Sequence, residues 1–247
     1  MMTCAHVLLN SGFPTFQDAL NSLLSSGGLA VRYNAGYNDG AVYPMVPACS
    51  IAYPVAYAQL WHQINRDKHD YAFCFLSGNP QPFDFWFGVT PGLIYQPQPP
   101  SQSPWLSIYN NTSDFFIHQI GFPACGGETG CTLPIDSCAN GISNGMYQSV
   151  PGCGSYLHFP SGYDQDPNLQ PRKFQTNCAC GPGASGSPGF VVLNDQAWVI
   201  GIVEGSSGTK ASHVLITDSI VDQFVLAKAM FESASCDPLG LGSASLP

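Results

Sequence analysis

The sequence predicts an all-β protein with a helix near its C-terminus. Two features of composition and one of pattern carry that expectation. Only 9% of residues are charged while 45% are apolar, 26 glycines and 21 prolines punctuate the chain, and its apolar runs are mostly short. Such a mixture suits many short strands joined by tight turns and argues against a helical bundle. At 247 residues the chain can form one large β domain or two small ones around a sizeable core. Its apolar content also argues against disorder.

The first long element is an exception to the β pattern. Residues 15–24 (TFQDALNSLL) predict a helix. Thr15 with Asp18 three residues later is a start signal, and Phe16, Ala19, Leu20, Leu23 and Leu24 fall on one face. Gly27-Gly28 ends it. Strands are expected at 29–33, 41–46, 71–76, 85–90, 115–120 and 155–159. The stretch from Pro91 to Pro104, rich in Pro, Gln and Ser, reads as an exposed connection. Residues 121–154 hold four cysteines among glycines and read as a stapled loop region. Phe190–Leu193, Asn194-Asp195 and Ala197–Val203 then read as a hairpin. A strand from His213 to Ile216 leads into a helix starting at Thr217 or Asp218, with Ile220, Val221, Phe224, Val225 and Ala229 at helical spacing. The tail 237–247 is expected to be mobile.

The net charge is −9, and the seven basic residues are scattered from Arg32 to Lys228. With no basic stripe to neutralise phosphates, nucleic acid is not an expected partner. No apolar run approaches bilayer-spanning length, so no membrane partner is expected either. Ten cysteines in a low-charge, Gly/Pro-rich chain suggest disulfides and an oxidising compartment, with connectivity unreadable from spacing. Free thiols and zinc are the alternatives. No C-x₂-C pair is matched by a second, so neither a metal nor another cofactor is expected. Two overlapping sequons, Asn110-Asn111-Thr112 and Asn111-Thr112-Ser113, agree with secretion. The start MMTCAHVLLN lacks the pattern of a signal peptide. The expectation is therefore a secreted protein whose front lies outside this sequence, or one exported unconventionally.

Three local patterns carry chemistry: Thr3-Cys4-Ala5-His6, then Asp70-Tyr71-Ala72-Phe73-Cys74-Phe75, then Gly183-Ala184-Ser185-Gly186-Ser187-Pro188. A histidine beside apolar residues is usually structural, and an Asp heading an alternating strand is usually a turn residue. The third pattern is more specific, because small residues around a serine let the backbone turn sharply and expose the hydroxyl.

Together the three resemble the trypsin-like (chymotrypsin-fold) serine endopeptidases, in the chain order His…Asp…Ser that separates this family from the α/β-hydrolases. GFVVLNDQAWVIGIVEG is similar to the family's closing hairpin, and the last helix to its C-terminal helix. The resemblance implies a double six-stranded antiparallel β-barrel. Residues 1–120 would form the first barrel, apparently without its first strands, 121–236 the second with the C-terminal helix, and 237–247 a flexible tail. It implies Ser185 as nucleophile, His6 as general base, Asp70 as the group orienting His6, and the N–H groups of Gly183 and Ser185 as the oxyanion hole. The floor of the specificity pocket would fall at Ala179, with Glu204, Gly205, Ser206 and His213 on its walls. A protein or peptide substrate and a monomeric enzyme follow.

This sequence also departs from the family. Ala184 stands where many relatives place an Asp that pairs with a newly cut N-terminus, so that activation cannot operate. The form without Asp, with Gly121-Phe122-Pro123, resembles the glutamyl endopeptidase-like branch, although Gly201-Ile202-Val203 lacks the histidine those enzymes carry there. Glu204 replaces a small hydroxyl residue near the catalytic Asp, where two carboxylates would repel. The alternatives to an active endopeptidase are an inactive protease-fold binding module, a truncated fragment without function, and a cysteine-rich structural protein.

Overall fold

Thr15 does what its spacing predicts. Its hydroxyl accepts the Asp18 backbone N–H at 3.1 Å and donates to the Asp18 carboxylate at 2.7 Å. Helix α2, Phe16–Ser25, follows, and its Ala19 and Leu20 enter a core with Leu9, Ile51, Tyr57 and Cys74. The structure is a computed structural model that describes residues 1–26, 30–31, 46–76, 118–121, 147–148, 173–176, 184–193, 196–207, 210–232 and 241–247. The strands expected at 85–90 and 155–159, the connection at 91–104 and nearly all of the loop region 121–154 lie outside these residues.

The chain divides into two compact units. One comprises Met1–Ala35, Asp39–Gln81 and Ser219–Pro247, the other Gly36–Asn38 and Pro82–Asp218. The first holds a five-stranded sheet of β1 (Met2–Thr3), β2 (Ala30–Val31), β3 (Val46–Pro54), β4 (Ala72–Leu76) and β11 (Gly242–Leu246), in the order β1-β4-β3-β11 with β2 also on β3. Residues 41–45 of the strand expected at 41–46 lie outside the described residues, and a strand runs over Val46–Pro54. Ala48 is buried, and Ser50, Ile51, Ala52 and Tyr53 form a continuous buried run along it, where an alternating pattern would have marked a strand from sequence.

Two expectations for the end of the chain are corrected. The tail is not mobile throughout, because Gly242–Leu246 pairs in parallel with β3 from Ser50 to Pro54 and buries Leu246 completely. This sheet is therefore not purely antiparallel. The last helix, α4 (Asp218–Glu232), begins where expected but groups from Ser219 onward with the first unit. Its inward face also differs. Ile220 and Ala227 are buried, and Phe224 and Phe231 pack on Phe73 and Phe75 of β4, with centroids 5.0–6.5 Å apart. Val225 and Ala229 point to solvent.

The second unit holds a curled antiparallel sheet in the order β6-β5-β8-β9-β10-β7. Its strands are β5 (His118–Gly121), β6 (Tyr147–Gln148), β7 (Lys173–Thr176), β8 (Pro188–Leu193), β9 (Gln196–Ser207) and β10 (Lys210–Leu215). The expected hairpin is β8 with β9, paired from Leu193↔Gln196 to Pro188↔Ile202. Cross-strand neighbours Phe174 and His213 stack with centroids 4.6 Å apart, and the cross-strand pair Gly189 and Gly201 makes room for these rings. A Cβ on Gly201 would lie 2.6 Å from the Phe174 ring, and one on Gly189 2.9 Å from the His213 ring. Two glycines facing two rings let this sheet bend over its own core.

Candidate active site

His6 and Asp70 come together because β1 pairs with β4. Thr3 lies opposite Ala72 and Met2 opposite Phe73, which brings the residues just after β1 level with those just before β4. His6 sits in the short helix α1 (Ala5–Leu8), whose N-cap residue Cys4 makes no side-chain cap. The first-turn N–H groups of a helix lack intrahelical acceptors, and Asp70 supplies one. Its Oδ1 accepts the His6 backbone N–H at 2.9 Å, while Oδ2 is hydrogen-bonded to His6 Nδ1. Asp70 is 3% exposed and the His6 side chain 29%. A buried carboxylate thus fixes both the backbone and the ring of a histidine that stays open to solvent.

Ser185 belongs to the second unit. Ala184 to Ser187 form a turn closed by the Ser187 N–H donating to the Ala184 carbonyl at 3.0 Å. Gly186, third in that turn, has φ +85°, the left-handed value a type II turn requires and a glycine adopts without strain. The turn is tied to β9 from both sides: the Gly186 N–H donates to the Val203 carbonyl at 2.7 Å, and the Val203 N–H to the Ser187 carbonyl at 2.8 Å. The Ser185 hydroxyl makes a long contact, 3.4 Å, to the Glu204 carbonyl. The backbone is pinned while the hydroxyl is only loosely engaged.

The expected pocket residues fare differently. Ala179 and Gly183 lie outside the described residues. Glu204 is the residue left over where Ser212 and His213 face Gly205 and Val203, so it occupies a bulge in β9. Such bulges re-aim a side chain, and Glu204 reaches Lys173 Nζ at 2.8 Å, with the two side chains 15% and 5% exposed. Sequence reading missed Lys173. The lysine answers the Glu204 charge that the sequence left without a partner, and a contact across 31 residues leaves no local signal. Gly205 pairs with Ser212 and has open space where a Cβ would be, and Ser206 pairs with Ala211. His213 is fully buried with Phe174 stacked on it, and neither ring nitrogen has a hydrogen-bond partner among the described residues. Burial pushes its pKa down to about 3, against a smaller upward pull from the Ala211 backbone. The ring is neutral at ordinary pH.

Cys4 and Cys74 are both buried thiols, and Cys49 is disulfide-bonded. Cys4, His6 and Asp70 offer ligand atoms that all lie within 4.8 Å of one another. The sequence treated Cys4 only as part of a motif and did not anticipate this grouping.

No protein-family pattern matches this chain, and no curated protein does. Among solved structures it is similar to the crystal structure of Protease Anisep from Arthrobacter nicotinovorans. The identity is 16%, the match covers 92% of this chain and 82% of that one, and the TM-score is 0.47. At that level the likeness carries no weight for what this chain does.

Proposed function

We propose that this chain is a serine endopeptidase in which His6, Asp70 and Ser185 act as base, orienting group and nucleophile. One observation carries the reading, the contact of the buried Asp70 with His6 through both its backbone N–H and its Nδ1. A serine hydroxyl is a poor nucleophile at neutral pH and needs a base oriented in one tautomer. With the Nδ1 proton held on the Asp70 side, Nε2 presents the lone pair that takes the Ser185 proton and later returns it to the leaving amine. Asp70 stabilises the imidazolium formed between those steps. The Ser185 N–H, with that of Gly183, would receive the negative charge developing on the carbonyl oxygen. The substrate class is protein or peptide, and the neutral pocket floor that the family resemblance implies at Ala179 would disfavour Lys or Arg at the cleavage site, since an unpaired buried cation is costly.

The test is covalent. A fluorophosphonate should label wild-type protein at Ser185, with labelling abolished in Ser185→Ala and slowed by several orders of magnitude in His6→Ala. Equal labelling of wild type and Ser185→Ala would overturn the reading.

A further inference from the structure

We propose that Cys4, His6 and Asp70 form a site for a thiophilic divalent cation of the zinc or cadmium class, and that filling it silences His6 as a base. Two of the three ligand residues, Cys4 and Asp70, are buried, and the ligand atoms of all three lie within 4.8 Å of one another. Ligand atoms about a tetrahedral zinc stand roughly 3.3–3.8 Å apart, given metal–ligand distances near 2.0–2.3 Å. The Asp70–His6 contact must therefore open for a tetrahedral ion to enter. A thiolate, an imidazole and a carboxylate are the donors zinc takes, and the sulfur favours zinc or cadmium over magnesium or calcium.

A second observation points the same way. The hydroxyl of Tyr57 is fully buried and has no hydrogen-bond partner among the described residues. Burial raises its pKa first, and the charges of Asp70 and Cys4 raise it further while Arg66 opposes them. The Tyr57 side chain belongs to the same buried core cluster as Ala5, the residue between Cys4 and His6. An orphaned buried hydroxyl in a native fold calls for an explanation, and a phenol oxygen brought to the cluster would complete four-coordination directly or through water.

The consequence for His6 follows from proton count. Binding displaces the Cys4 thiol proton to solvent. If the cation takes His6 Nδ1, the remaining ring proton resides on Nε2, which then has no lone pair for a serine proton. If it takes Nε2, the lone pair is used directly. Either way the base is lost. This inhibitory half rests on the proposed endopeptidase reading, whereas the binding half does not.

Cadmium titration of the full chain, followed by the ultraviolet thiolate-to-cadmium charge-transfer band, tests the binding half without any activity measurement. One equivalent should bind with growth of the band. Cys4→Ala should lose that band. His6→Ala and Asp70→Asn should each weaken binding by roughly tenfold or more, at least as much as losing an outer-shell partner costs. Circular dichroism of each variant checks folding, and Asp70→Asn, which keeps shape and volume, serves if Cys4→Ala does not fold. A band unchanged in Cys4→Ala, or affinity unchanged in Asp70→Asn, overturns the site. Fluorophosphonate labelling of Ser185 with and without cadmium separates the two readings. Labelling that cadmium does not slow, despite a bound equivalent, overturns the inhibitory half alone. Cadmium binding in a protein never labelled would leave the site standing and remove the endopeptidase reading.

Discussion

Asp70 grips His6 at two atoms, accepting the backbone N–H with one carboxylate oxygen and contacting Nδ1 with the other. Asp70→Asn can keep the first bond but turns the second around, because the amide NH₂ donates to Nδ1 and drives the ring proton to Nε2. Peptide hydrolysis should then fall by about 10³–10⁴ in kcat, the loss seen when a triad carboxylate becomes an amide. Thermal stability should change little. Steady-state kinetics beside a melting curve checks both, and retention of wild-type kcat would show that Asp70 does not set the tautomer.

The Lys173–Glu204 pair is nearly shut off from water. Lys173→Met leaves the Glu204 carboxylate unmatched and should destabilise the protein by about 3 kcal/mol, as breaking a buried ion pair does. Adding Glu204→Gln should restore much of that loss, because no uncompensated charge remains. Urea denaturation of the two single variants and the double variant measures the coupling. A double variant no more stable than Lys173→Met would mean that the pair is not what the bulge in β9 is built around.

His213 gives a pH dependence whose sign follows from its depressed pKa. The buried ring stays neutral down to about pH 3, whereas in the unfolded chain it protonates near the ordinary value of about 6.5. Between those values the unfolded state binds the extra proton, so the contribution to stability is full above about pH 6.5. It falls by roughly 1.4 kcal/mol per unit as the pH drops toward 3. His213→Leu removes that proton uptake. Denaturant midpoints at pH 7.5 and 4.5 should show the variant losing about 2–3 kcal/mol less than wild type on acidification. Identical slopes would mean that His213 is accessible to protons in the folded state.

Gly201 lies under the Phe174 ring and beside the Val214 carbonyl, which a Cβ would approach to 2.7 Å. Gly201→Ala therefore meets backbone as well as a buried ring, and neither can move aside. We expect a loss of about 2–3 kcal/mol and a lowered Tm. Gly205→Ala, where the Cβ enters open space, is the control and should melt close to wild type. Equal melting of both variants would show that the Phe174–His213 stack does not depend on the paired glycines.

The parts legible in the sequence are those whose cause lies within a few residues. Thr15 and Asp18 mark the start of α2 because a cap is a bond between neighbours. The hairpin of β8 and β9 shows in two β-rich runs around Asn194-Asp195. The turn at Ser185 is readable because only a glycine suits the left-handed position at Gly186. His6 and Asp70 were legible only through an order of motifs that resembles a known family, since nothing local in either segment signals the other.

By itself the sequence determined a strand-rich chain, its two longer helices, and a serine held in a glycine-bearing turn. Local propensity and periodicity act over a few residues, and these features need nothing more. The tertiary structure alone decided the rest. Gly242–Leu246 joins β3 although GSASL has little strand propensity, because the edge of β3 offers backbone donors and acceptors and Leu246 finds a buried site. Helix α4 buries Phe224 and Phe231 and leaves Val225 outside, because the rings of β4 lie on that side. Asp70 meets His6, and Lys173 meets Glu204, through the pairing of strands that are far apart along the chain. Hydrogen bonding between strands fixes such pairings, and a linear pattern records which groups can bond but not with which partner.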